Sequence, residues 1–97
     1  MIRDLVLVEP GTVVMVVDED SFVRQSVADL LALEGYEALP LPTGEAALSR
    51  ITAGVRPAVV ILDLWLPGIG SVEFARRLNS RLSTRVPLLV LTAWRAW

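Results

Sequence analysis

Residues 12–20 read TVVMVVDED, an apolar run that ends abruptly in three acids. Two more apolar runs follow later in the chain, AVVIL at residues 58–62 and VPLLVL at residues 86–91. Each run is too continuous for a strand with one face in water, which would alternate apolar and polar residues. The three runs therefore predict strands that are buried on both faces, as in a parallel sheet covered by helices.

The segment between the first two runs predicts a helix and then a short strand. In SFVRQSVADLLALEG, residues 21–35, apolar residues recur at helical spacing. With Ser21 as a candidate N-cap and Gly35 as a stop signal, the expected helix has about 13 residues. The strand is YEALPL, residues 36–41, and we expect it at the edge of the sheet because Pro40 cannot donate a hydrogen bond to a neighbour.

Two further helices are expected before the last apolar run. The second opens at Thr43 and Gly44, runs through Ile51 and stops at Gly54. The third covers residues 72–82, with one apolar face formed by Phe74, Leu78 and Leu82. Strands and helices thus alternate along the chain, which predicts an α/β fold with a parallel sheet and right-handed crossovers.

Polar side chains follow the three apolar runs at the points where they end. Asp18, Glu19 and Asp20 follow the first run, Asp63 the second and Thr92 the last. Ligands of open parallel sheets bind outside the carboxyl ends of the strands, so these residues should meet at one rim. Clustered carboxylates repel one another unless a cation lies among them, and Mg²⁺ prefers such oxygen ligands. An Asp beside that ion could act as a nucleophile toward phosphorus, and Thr92 could donate its hydroxyl to a phosphoryl oxygen.

These residues also have ordinary structural interpretations. Asp20 stands next to Ser21 at a helix start, so capping explains it better than metal binding. Taken alone, Asp63 suits a turn or a cap, and a β-branched Thr92 suits the end of a strand. The functional interpretation depends on three separate strands delivering polar groups to the same rim.

The composition narrows the possible chemistry further. The chain has 97 residues and a net charge of −2, with nine Arg and no Lys, His or Cys. This length predicts one domain, and the missing residues exclude zinc fingers, thiol nucleophiles, Ser-His-Asp triads and Walker-type phosphate lysines. The Arg residues are scattered, so direct nucleic-acid binding is not expected, and neither a signal peptide nor a membrane span is recognisable. We expect a cytoplasmic protein, although 54% hydrophobic residues is high for a small domain and predicts uncovered apolar surface.

Four segments together resemble the receiver domain of bacterial two-component response regulators, a CheY-like family. They are VMVVDEDSFVRQSVADLLALEGYEA, PTGEAALSRI, RPAVVILDLWLPG and PLLVLTA, in register from about Thr12 to Ala93. The resemblance implies a flavodoxin-like three-layer fold with sheet order 2-1-3-4. Family members continue after Ala93 with another helix, a fifth strand and a last helix, so the resemblance implies a C-terminally truncated receiver over residues 12–97.

The resemblance also implies a role for each site residue. Asp63 would accept a phosphoryl group from a phosphohistidine on a sensor histidine kinase. Asp18, Glu19, Asp63 and the main-chain carbonyl of Trp65 would hold Mg²⁺, directly or through water, and Thr92 would turn toward the phosphoryl group as part of a switch. The protein would then be a phosphoacceptor in signalling and not an enzyme, with a change of protein partner as its output.

The sequence departs from the family pattern in three places. Glu19 is longer than the alternative Asp at its position, and Gly70-Ser71 replaces the usual Asp-Gly before the third helix. The family lysine that contacts the phosphoryl group belongs to the missing segment, and Arg95 does not reproduce a compact ammonium group. We therefore expect phosphotransfer to be impaired.

Two alternatives and the N-terminal segment complete the interpretation. Residues 1–11 contain LVLV at positions 5–8, which forms either an extra strand or, preferably, an apolar arm that covers the edge of the fourth strand within the chain or in a homodimer.

A degenerate receiver could act only as a dimerisation or interaction module, with Trp94, Trp97 and this arm at the contact. Asp18 and Asp20 also resemble the D-x-D motif of haloacid-dehalogenase-type phosphatases, although the Lys and later acidic pair of that family are missing.

Overall fold

Strands and helices alternate in the computed structural model, which describes residues 12–92. The strands are β1 (Val13–Val17), β2 (Glu37–Leu41), β3 (Val59–Asp63) and β4 (Leu88–Leu91), and the helices are α1 (Ser21–Leu33), α2 (Gly44–Thr52) and α3 (Gly70–Arg81). Every strand pair is parallel, and the sheet order is β2-β1-β3-β4. The predicted flavodoxin-like order 2-1-3-4 is confirmed, with the strand that contains Pro40 at one edge.

The core lies on both faces of the sheet. Because successive strand residues point to opposite faces, β1 and β3 each contribute to two layers. Toward α2 and α3, Met15 and Leu62 pack in a large cluster around the fully buried Phe74 and Leu78. Toward α1, a smaller cluster contains Val14, Val16 and Ile61. The continuous apolar runs of β1 and β3 are therefore buried on both faces, as predicted.

The prediction for the third apolar run was wrong. The strand β4 covers only Leu88–Leu91, and the side chains of Leu89 and Val90 are 54% and 46% exposed. Within residues 12–92, β4 pairs with β3 alone and forms an edge of the sheet, so it lacks the cover that β1 and β3 receive. The residues proposed to cover or adjoin this edge, positions 5–8 together with Trp94, Arg95 and Trp97, lie outside the described part of the chain.

Helix boundaries follow the capping residues where these exist. The helices α1 and α2 begin and end close to the predicted positions, whereas α3 starts at Gly70, two residues before the predicted start at Val72. The N-cap of α3 is Ile69, which makes no side-chain hydrogen bond, so the sequence carries no cap signal there. Among residues 12–92, no helix has both the length and the apolar character needed to cross a membrane.

Candidate functional site

The strand register brings three of the predicted site residues to one rim. Val17 is level with Leu62 in the pairing of β1 with β3, so Asp18 and Asp63 follow at the same height on neighbouring strands. In the pairing of β3 with β4, Asp63 is level with Leu91, which Thr92 follows directly. Two carboxyl groups and one hydroxyl group therefore belong to the carboxyl end of the sheet, where open α/β folds bind their ligands.

Asp18 is the one buried polar side chain in the described residues, at 6% exposure. Its Oδ1 accepts a hydrogen bond of 2.9 Å from the main-chain N–H of Asp20. Burial raises the pKa of the Asp18 carboxyl, and the negative charges of Asp63 and Asp20 raise it further against the opposing effects of that hydrogen bond and Arg24. The rim thus places negative charge where it is poorly solvated, an environment that a cation would stabilise.

Asp20 is a helix cap, as the structural interpretation expected. Its Oδ1 accepts hydrogen bonds from the main-chain N–H groups of Phe22, at 2.9 Å, and Val23, at 3.1 Å. Ser21, which the sequence suggested as the cap, is instead the first residue of α1. This role for Asp20 argues against the phosphatase interpretation, which needs its carboxyl group to act on a substrate. Glu19 lies between the two Asp residues and is exposed.

Arg24 is a positioning residue that sequence reasoning missed. From the first turns of α1, its Nη1 donates to the main-chain carbonyls of Asp18, at 2.7 Å, and Glu19, at 3.3 Å. The guanidinium therefore fixes the backbone of the acidic loop. The sequence signal for this contact is the position of Arg24 three residues after the start of α1. A long side chain there can reach back to the loop before the helix.

The loop after β3 is held in place by hydrogen bonds to Asp63, to β4 and to the start of α3. The main-chain N–H of Trp65 donates to Asp63 Oδ1 at 3.1 Å, and that of Leu64 donates to the carbonyl of Leu91 at 2.9 Å. Ser71, one of the residues that departs from the family pattern, donates its hydroxyl to the carbonyl of Leu64 at 3.0 Å. Ser71 thereby ties the start of α3 to the loop that follows β3, a role that could not be predicted from the sequence pattern.

The oxygen atoms at the rim are suitable ligands for a hard divalent cation such as Mg²⁺. No three acidic side chains within residues 12–92 converge into a metal-binding cluster, so an ion would have to rely on the carboxylates of Asp18 and Asp63, main-chain oxygen and water. Mg²⁺ is commonly held in this way, with one or two carboxylates and several retained waters.

Comparison with known proteins identifies the family. The model of the response regulator receiver domain family matches residues 14–96 of this chain. The chain belongs to this family. This confirms the family suggested by the acidic cluster and by the DLWLPG and LTA segments. Receiver domains are signalling modules. The phosphate regulon transcriptional regulatory protein PhoB of Pseudomonas aeruginosa is 32% identical over 84 residues, which are 86% of this chain and 36% of PhoB.

Solved receiver structures are similar in fold. The chemotaxis response regulator CheY4 of Vibrio cholerae is 30% identical, with a TM-score of 0.75 over 89% of this chain and 72% of CheY4. The N-terminal domain of a response regulator/sensory box/GGDEF protein from Carboxydothermus hydrogenoformans is 26% identical, with a TM-score of 0.80 over 88% of this chain and 67% of that one. This chain spans about a third of the length of PhoB.

Proposed function

We propose that this receiver domain accepts a phosphoryl group on Asp63 from a phosphohistidine of a sensor histidine kinase in the cytoplasm. The observation that carries the proposal is the strand register, which puts Asp63 level with the buried Asp18 and next to the strand that Thr92 follows. The negative charge of Asp63 raises the pKa of Asp18, as is expected where two carboxyl groups lie close together. Membership of the receiver family suggests the phosphoryl donor, a phosphohistidine on a sensor histidine kinase.

The transfer is a displacement at phosphorus. A carboxylate oxygen of Asp63 forms the new bond to phosphorus while the bond from phosphorus to the imidazole nitrogen breaks, and that nitrogen keeps the electron pair. Mg²⁺ held by Asp18, Asp63, the Trp65 carbonyl and, directly or through water, Glu19 would neutralise charge on the phosphoryl oxygens. The hydroxyl of Thr92 would donate to one of those oxygens. Arg24 and Ser71 keep the two loops in position.

The rate of this transfer should be low in the 97-residue chain. The chain contains no Lys, so the compact ammonium group that contacts the phosphoryl group in the family is missing from these residues. The output we propose is a change of protein partner. The relative PhoB is a transcriptional regulatory protein, so an output of this kind could act in the regulation of transcription.

Intact-mass spectrometry after treatment with acetyl phosphate and Mg²⁺ tests the proposal. We expect one phosphoryl adduct on the wild-type chain and none on Asp63→Asn. Asp29→Asn is the matched control, because Asp29 is an exposed residue of α1 whose carboxylate accepts a hydrogen bond from Gln25 of the same helix. An adduct that survives Asp63→Asn, or no adduct on the wild type, would rule out phosphotransfer at this residue.

The half-exposed Leu89 and Val90 favour a second candidate function, a module that acts only by protein contact. Within residues 12–92, β4 pairs on one side only, and an edge strand with apolar side chains can pair with another chain, here a second copy. Sedimentation of the wild type and of Leu89→Thr distinguishes the candidates. A wild-type chain that stays monomeric at high concentration contradicts the homodimer.

A further inference from the structure

A groove runs between the packed helices α2 and α3 on the face of the sheet opposite α1. Its volume is about 310 Å³, and it is lined by Glu45, Leu48, Ser49, Thr52, Arg77 and Arg81. On α2, the lining residues recur at intervals of three or four, which places them on one face of the helix. On α3, Arg77 and Arg81 are one turn apart and also share a face. The groove is thus formed by two helix faces, and Asp18, Asp63 and Thr92 do not line it.

The charges of this groove are ordered along its length. Both α2 and α3 connect parallel strands, so they run in the same direction. Glu45 lies in the first turn of α2 and Arg81 in the last turn of α3. The end of the groove near the rim is therefore acidic, and the opposite end is basic.

The guanidinium of Arg81 is available for a further partner. Arg77 donates to Glu73 Oε2 at 2.8 Å, whereas Arg81 makes one long hydrogen bond of 3.4 Å to the carbonyl of Arg77. Among residues 12–92, no carboxylate forms an ion pair with Arg81. An acid in a first turn and a base in a last turn also stabilise helix dipoles, but this effect does not account for the open space between the two helices.

We propose that the groove binds a helix of a partner protein with an acidic first turn and a basic last turn, antiparallel to α2 and α3. Helices commonly carry acids in their first turn and bases in their last turn. The antiparallel orientation puts that first turn against Arg77 and Arg81 and the last turn against Glu45. The α2 face from Glu45 to Thr52 is about 10 Å long, enough for two turns of the bound helix. The hydroxyls of Ser49 and Thr52 lie between the charged ends.

A helix fits this groove better than a nucleic acid does. The carboxylates of Glu45, in the groove, and Glu73, beside Arg77, would repel a phosphate backbone. The only apolar residue of the lining is Leu48, which is itself mostly buried, so charge and hydrogen bonding supply most of the binding. The complex should accordingly be weak, salt-dependent and sensitive to the polarity of the helix.

Two synthetic helical peptides of one composition test this orientation. Each is about 14 residues long, and one carries Glu in its first turn and Lys in its last turn while the other has these charges reversed. Titrated into the ¹⁵N-labelled chain, the first peptide should shift the amide signals of the groove residues and bind about fivefold more tightly than the second. Equal binding of the two peptides, no binding of either at millimolar concentration, or shifts confined to the Asp18 rim would overturn the proposal.

Arg81→Gln and Arg76→Gln form a matched pair of variants on α3. Both remove one positive charge from an exposed position, but only Arg81 lines the groove. We expect Arg81→Gln to weaken binding of the first peptide about fivefold and Arg76→Gln to leave it unchanged. Equal weakening by both variants, or tighter binding of a single-stranded DNA oligonucleotide at the same residues, contradicts a helix-specific groove. The Asp63→Asn chain should bind this peptide as the wild type does, so the result is independent of phosphotransfer.

Discussion

Asp18 combines the two conditions that make an acidic side chain sensitive to its surroundings, burial and neighbouring negative charge. Burial raises its pKa in the folded chain above the ordinary value for Asp, and Asp63 and Asp20 add to the shift. The unfolded chain therefore releases this proton more readily than the folded one. Ionisation of Asp18 thus destabilises the fold: stability is lost as the pH rises from the ordinary pKa through the raised one, and regained as the pH falls.

We expect Asp18→Asn to unfold at a higher urea concentration than the wild type at neutral pH without divalent cations. The amide oxygen of Asn can still accept the hydrogen bond from Asp20 N–H, so the main change is loss of the buried charge. Urea titrations of both chains at neutral and at mildly acidic pH measure the effect. The advantage of Asp18→Asn should shrink as the pH falls, and an advantage that is absent or independent of pH contradicts this account.

The elements that could be predicted from sequence are those with local signals. α1 and α2 have caps whose side chains bond to main-chain N–H groups, and their boundaries match the prediction. The start of α3 has no such side chain, and its position depends on a turn in which Gly68 and Gly70 have φ values of 72° and 77°. Exposure of β4 depends on what covers an edge, a property of the whole sheet that a strand's own residues do not encode.

Gly68→Ala tests how this turn is stabilised. A Cβ at Gly68 would meet Glu45 Oε2 at 2.6 Å, whereas one at Gly70 would meet no atom within 4 Å. The Glu45 carboxylate ends a flexible side chain and can rotate away, so the positive φ should dominate the cost. We expect Gly68→Ala and Gly70→Ala each to lower the free energy of unfolding by about 1 kcal/mol, measured by urea titration. A much larger loss for Gly68→Ala would show that Glu45 cannot move and holds the loop.

At the scale of the whole molecule, the candidate site could be predicted because parallel topology has a general consequence. Strands that run in the same direction end at the same edge, so the positions of Asp18, Asp63 and Thr92 follow once the three strands are recognised. The contacts that hold the rim could not be predicted in the same way. Arg24 and Ser71 each donate to main-chain oxygens, and such bonds depend on the path of a loop as well as on a donor side chain at the right spacing.

Binding of Mg²⁺ to this rim should stabilise the whole domain, because a ligand that binds only the folded chain shifts the unfolding equilibrium. At a free Mg²⁺ concentration tenfold above Kd, the free energy of unfolding should rise by about 1.4 kcal/mol. Asp63→Asn removes a proposed ligand and should abolish most of this gain, measured by urea titration with and without Mg²⁺. Thr92→Ala is the control, since its hydroxyl is proposed to contact the phosphoryl group and not the ion. Equal gains in the wild type and in Asp63→Asn would show that the cation does not bind at Asp63. Loss of the gain in Thr92→Ala would show that Thr92 belongs to the metal site.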